Sequence, residues 1–258
     1  MKVGVSYNVF DGEELLEGSI KSIRESVDYI SVVYQTISNF GNQCDEGLVP
    51  LLERLKSEGL VDDIMQYKPK VNQGGHYNEI SKRNLGLFLS EGAKCTHHMS
   101  MDTDEFYIKS QFEYMKNTLV EGDYDAAACQ MRTYFKDPTY EVRPLNDYYV
   151  SLLFKIGRGV QFVMGHPFPV LVDPTRRMLT NNFKIFSREE IEMYHMSYIR
   201  KDIKSKLTNS SSNAAFVEID EFLRMYMEYE IGDTFFTTKP PGHEITVLVD
   251  DRFKIGLL

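Results

Sequence analysis

Apolar and polar positions divide the N-terminal part of the chain into alternating strands and helices. Lys2 to Tyr7 carries a single charge and has the pattern of a buried strand. Asn8 to Gly12 is a turn. Asp11 is placed to cap the next helix, with Glu13 and Glu14 in its first turn, where the helix dipole favours them. Leu16, Ile20, Ile23 and Val27 then recur at helical spacing. Tyr29 to Tyr34 is a second strand and runs into a polar loop from Gln35 to Asn42. Leu48, Leu51, Leu52 and Leu55 mark a second helix, stopped near Gly59. Asp63 to Tyr67 reads as a third strand, Asn72 to His76 as a glycine-containing loop, and Asn78 to Leu89 as a third helix. The fourth strand begins at Cys95.

Strands alternating with helices in this order predict the α/β class, with a mainly parallel sheet covered by helices on both faces. Ligands of such sheets sit outside the carboxyl ends of the strands. Asn8, Gln35 and Asp102 all follow strand ends, so one crevice can collect them. After Asp104 the pattern changes. Glu113 to Val120 reads as a helix. Tyr124 to Tyr134, Val150 to Ile156, Pro169 to Val172 and Ile191 to Tyr198 read as strands without long helices between them. Asn213 to Tyr229 has helical spacing, and the tail beyond Gly232, with Pro240-Pro241, reads as irregular.

With 258 residues and 42% hydrophobic content the chain can bury a full core. A net charge of −9 gives it no general attraction to nucleic acid or anionic membrane, although Arg176, Arg177, Arg200, Lys201, Lys204 and Lys206 leave a local basic groove open. The 3 cysteines are widely spaced and form neither a metal cluster nor a disulfide framework, which suits a reducing compartment. No apolar run approaches a membrane span and the first residues show no signal-peptide pattern, so a cytoplasmic location is expected.

The stretch from Cys95 to Tyr107 carries the candidate chemistry. It opens with a mostly uncharged run and ends in Asp102, Asp104 and Glu105. In an extended chain Asp102 and Asp104 point the same way. Two carboxylates converging at the end of a buried strand repel each other unless a cation, a proton or water intervenes, which makes them a candidate divalent-cation site.

Together with Ser6-Tyr7-Asn8 after the first strand, Lys82-Arg83-Asn84 on the third helix and Tyr194-His195-Met196-Ser197-Tyr198-Ile199-Arg200, this Asp-x-Asp stretch resembles a GT-A glycosyltransferase of the family 2 type. The resemblance runs from Lys2 to Asn209. It implies a Rossmann-like GT-A domain over residues 1–209, with a nucleotide-binding half (1–107) and a mixed acceptor-side half (108–209), and a C-terminal helix and tail (210–258) packed on it. It also implies transfer of a hexosyl or pentosyl group from a nucleoside-diphosphate donor, with a UDP-sugar the expected one, to a hydroxyl acceptor with inversion. Asp104, Asp102 and His195 would be the metal residues, and an imidazole in that set favours manganese over magnesium. Asp102 would reach the metal through water or contact the ribose. Tyr7, Asn8, Gln35, Arg83, Asp102, Arg200 and Lys206 would bind the donor, with Asn39 near the base and Lys204 among the basic residues after His195. The catalytic base is left to Asp173, Glu189 or Glu190, of which Glu190 has the more suggestive position; a retaining enzyme would need none. His97 and His98 are expected to be structural.

Other readings are narrower. A nucleotidyltransferase would carry a glycine-rich basic loop after the first strand, where Tyr7 to Gly12 has one glycine and no base. A haloacid dehalogenase-type phosphatase places its Asp-x-Asp after the first strand rather than the fourth. A non-catalytic sugar- or nucleotide-binding module would not need Asp102, Asp104 and His195 together. Surface glycans are the default acceptor by family analogy, with hydroxymethylated bases of viral DNA as an alternative. As a repelling pair, Asp102 and Asp104 predict that Asp104→Ala leaves the fold intact or even stabilises it.

Overall fold

In the computed structural model, which describes residues 1–145, 147–210, 218–235 and 244–256, the N-terminal half forms four parallel strands in the order β3-β2-β1-β4. These are β1 (Val3–Val9), β2 (Tyr29–Tyr34), β3 (Asp63–Gln66) and β4 (His97–Asp102). The chain steps outward from β1 to β2 and β3, then returns to the other side of β1 with β4. The register sets Asn8 of β1 beside Asp102 of β4. This is the point where the strand order reverses, and where open α/β sheets place their ligands. All residues of β1 are buried, as expected for a parallel strand covered on both faces.

The connecting helices are α1 (Glu13–Ile23), α2 (Leu48–Ser57) and α3 (Gly75–Gly92). Gly12, not Asp11, stands at the N-terminal boundary of α1. It has φ 76°, and no side chain caps the helix there. Helix α3 starts earlier than its apolar spacing suggests and absorbs Gly75 and His76 from the expected loop. It lies close on β1, because a Cβ at Gly86 would stand 2.2 Å from Ser6 Oγ. Val3, Val5, Leu16, Ile20, Val32, Leu52 and Met99 belong to the main core between these layers.

The second half is mixed, as expected, but its strands differ in detail. After β4 the chain turns at Thr103-Asp104 into β5 (Glu105–Phe106) and α4 (Lys109–Glu121). Next come β6 (Ala126–Phe135), β7 (Tyr140–Arg143) and β8 (Tyr149–Lys155). They continue the sheet antiparallel, β8 lying between β4 and β6. Pro169 to Val172 is not a strand; only Val172 makes a bridge, to Tyr149. Instead β9 (Phe183–Ile185) pairs with β6. Strand β10 (Met193–Tyr198) lies parallel to β6 and antiparallel to β5, with His195 opposite Glu105. Helix α5 (Ile203–Asn209) follows, and α6 (Ile219–Glu228) accounts for part of the expected C-terminal helix; its start at Asn213, with Ala215 and Val217, lies outside the described residues, as does Pro240-Pro241. The tail is not wholly irregular. β11 (Ile245–Leu248) pairs with β7, and Phe253 packs on Phe106 and Tyr194. Among the described residues no helix is long and apolar enough to cross a membrane.

Candidate active site

The carboxyl ends of β1, β2 and β4 open into a cavity of about 260 Å³, closed on the far side by β10 and α5. Asp102 and Asp104 both line it but serve different partners, because the chain does not stay extended. Strand β4 ends at Asp102, and the turn carries Asp104 toward β10. The Asp104 carbonyl accepts from Met196 N (2.8 Å), which fastens the turn to that strand.

Asp104 is almost fully buried. Its Oδ2 accepts from Arg200 Nη2 (2.5 Å) and Lys206 Nζ (2.9 Å), and His195 Nε2 lies 3.6 Å away. Burial pushes the carboxyl up, but Lys206, Arg200 and His195 overcome it and hold it well below the usual carboxylate range. Arg200 is oriented by the backbone, Nη1 donating to the carbonyls of Ile199 (3.1 Å) and Met196 (3.3 Å). Lys206 is set by α5, which Asp202 caps by accepting from Ser205 N (2.9 Å).

Asp102 is about a third exposed and belongs to a second cluster. Arg176 Nη2 donates to its Oδ2 at 2.7 Å, and Arg83 Nη2 lies 3.4 Å from both oxygens. Against burial, Arg83 and then Arg176 hold this carboxyl below its ordinary value. Arg176 also pairs with the buried Glu105, whose carboxyl is nevertheless raised, by burial and by the neighbouring Asp102 charge. Arg83 is fully buried. Its Nη1 donates to Ser100 Oγ (2.8 Å) and its Nε to Thr175 Oγ1 (3.3 Å).

Asn8, Gln35, Asn39, Asp102, Asp104, Asp173, His195, Arg200 and Lys206 therefore line one cavity, with Arg83 behind Asp102. Tyr7 does not reach it: the ring is buried in the core and its hydroxyl lies 3.0 Å from Ser19 Oγ. Alternation along β1 turns Asn8 toward the cavity and Tyr7 away. Glu190 also lies elsewhere, bonded to Ser187 N (2.8 Å), Lys184 (3.2 Å) and Tyr114 (3.4 Å). Glu189 and Lys204 are exposed outside the cavity. Asp173 is held at its lip, Oδ1 accepting from the Thr175 amide and hydroxyl, both at 2.7 Å. His98 is buried beside Phe154 and Phe162, its Nδ1 2.8 Å from Ser90 Oγ. Burial, with Arg83 adding to it, lowers its pKa to about 3. Arg176 and Lys82 are among the residues of the site that sequence reasoning missed. Arg176 gave only a generic basic signal, although it follows Asp173 in a tight 3-10 turn (Pro174–Arg176). Lys82 stood in the quoted Lys-Arg-Asn run but was passed over for Arg83.

The donor set suits a divalent cation in part. Among the described residues no three His, Cys, Asp or Glu side chains gather closely enough to hold a metal by themselves. Asp104 and His195 do converge, and Asp104 Oδ1 is a buried acceptor without a donor among the described residues. A cation here would take those two side chains and complete its shell with substrate oxygens and water.

No family model matches the chain, and no curated protein matches it. Solved structures to which it is similar include S. aureus TarS 1-349, at 11% identity and TM-score 0.49, covering 76% of this chain and 61% of that one. The same fragment in complex with UDP-GlcNAc matches at 11% identity and TM-score 0.49, over 87% of this chain and 64% of that one. S. aureus TarS matches at 12% identity and TM-score 0.49, over 80% of this chain and 38% of that one. The chain thus spans only part of the length of these structures.

Proposed function

We propose that the protein is a metal-dependent glycosyltransferase that moves a sugar from a nucleoside diphosphate, a UDP-sugar being the expected donor, to a hydroxyl acceptor. The observation that carries this reading is the meeting of Asp104, His195, Arg200 and Lys206 in one cavity at the switch point of the sheet, with unbonded polar groups on the β1–β2 side. Asn8 Oδ1 and Nδ2 and Gln35 Oε1 are buried there without partners among the described residues, as a nucleobase or ribose requires. Arg200 and Lys206 face the leaving diphosphate. Asp104 and His195 would hold a divalent cation, which would supply Lewis-acid charge to it.

Transfer forms a bond from the acceptor oxygen to the anomeric carbon and breaks the bond from that carbon to the diphosphate, which leaves with the electron pair. The acceptor proton needs a carboxylate at the cavity. Asp173 fits this role: one oxygen is fixed by Thr175 and the other has no hydrogen-bond partner among the described residues. Glu190 does not line the cavity. Calorimetric titration of UDP and GDP, with and without manganese, tests the reading. Manganese-promoted binding of one nucleotide is expected. Indifference to both nucleotides would leave only a binding module or a donor of another class.

A further inference from the structure

Lys82 is 4% exposed and lines the cavity, and its ammonium has no hydrogen-bond or ion-pair partner among the described residues. This sets it apart from Arg200 and Lys206, which are both engaged by Asp104. The carboxylates near Lys82 are turned to others. Glu79 lies 3.4 Å from Arg83, Asp173 is bonded to Thr175, and Asp102 is held by Arg176 and Arg83. A buried ammonium without a counter-charge is costly, and helix α3, packed closely on β1 at Gly86, keeps it in place.

We propose that Lys82 is a phosphate-binding residue that gives this site a metal-independent hold on the donor diphosphate. This rests on the donor reading above. Arg200 and Lys206 must share their charge with Asp104, whereas Lys82 offers its full charge to an incoming oxyanion without first breaking an internal pair. An ammonium donates and cannot accept, so its partner is an anionic oxygen. A charge-assisted bond of this kind is worth roughly ten- to hundredfold in affinity.

The test is calorimetry of inorganic pyrophosphate, UDP and uridine in EDTA, with the wild type, Lys82→Met, Lys82→Gln and Lys82→Arg, and UDP repeated with manganese. Lys82→Met and Lys82→Gln should weaken pyrophosphate and UDP by roughly ten- to hundredfold. Uridine should bind as to the wild type, and Lys82→Arg should recover most of the loss. Thermal melting should show the neutral variants at least as stable as the wild type, since an unpaired buried charge is removed. Unchanged pyrophosphate and UDP affinity in the neutral variants overturns the proposal, as does an equal loss for uridine. Pyrophosphate binding that depends on Lys82 while UDP is ignored would sink the donor reading and leave the anion site standing. Manganese-promoted UDP binding that ignores Lys82 would do the reverse.

Discussion

Asp104 shows how far a residue's partners can reverse a sequence-based expectation. As half of a repelling acid pair it would be dispensable for folding. In the structure it is the counter-charge of Arg200 and Lys206, and Arg200 is as deeply buried as Asp104 itself. Removing one member of a buried ion pair leaves the other uncompensated, at a cost of roughly 3–5 kcal/mol. Asp104→Asn should therefore lower stability in urea unfolding by that order as well as abolish manganese-promoted nucleotide binding. The pH dependence follows from the same pairing. The folded carboxyl lies well below its value of about 3.9 in an unfolded chain. Its stabilisation is thus complete above that value and is lost as pH falls from about 4 through the folded pKa. Circular dichroism against pH should show a shallower acid limb in Asp104→Asn than in the wild type; superimposable limbs would mean that Asp104 is not the linked group.

At the scale of elements, α3 holds Lys82 and Arg83 against the sheet, and Gly86 sets how closely it approaches. Replacing a mid-helix glycine by alanine gains up to about 1 kcal/mol in helix propensity. Here the added methyl would meet Ser6 Oγ at 2.2 Å and Ser6 Cβ at 2.4 Å, which no rotamer relieves. Overpacking of this kind costs roughly 1–3 kcal/mol. Gly86→Ala should lower the melting temperature, and Ser6→Gly in the same chain should restore it, because removal of the Ser6 side chain clears the space. No restoration would place the effect in the helix alone. β1, β2 and β4 were legible because parallel strands covered on both faces are mostly uncharged runs, while the exposed edge strand β3 was legible only from its place between two helices. Of the later strands, β6, β8 and β10 also fall where they were expected, and others hide for physical reasons. β5 spans Glu105–Phe106 only, and β7 turns Glu141 inward, where Arg132 neutralises it at 2.5 Å. That inward acid masks the alternation by which β7 would be read.

For the molecule as a whole, the parallel half and the cavity at its switch point followed from the order of elements, and most of the proposed site residues meet there. What the sequence concealed was the allocation of charge. Arg176, Arg200 and Lys206 looked like the material of an exposed basic groove, yet each is turned inward to Glu105, Asp102 or Asp104. Pairing between residues far apart in the chain leaves no local pattern to read, so a solvated basic face and a neutralised interior look alike. The same holds for the tail, where Phe253 reaches Phe106 and Tyr194, both distant from it in the sequence.

The shared oxygen of Asp104 has a kinetic consequence. On the proposed metal-dependent reading, a divalent ion entering the cavity would find only Asp104 Oδ1 free among the described residues, Oδ2 being engaged by Arg200 and Lys206, whereas a nucleotide arriving first would draw those cations toward its phosphates and release the second oxygen. Addition would then be favoured in the order nucleotide before metal, and the protein alone would hold manganese weakly. Electron paramagnetic resonance titration of manganese should detect little binding to the protein alone and tight binding once UDP is present. Equal affinity in both states would show that the carboxylate was available from the start.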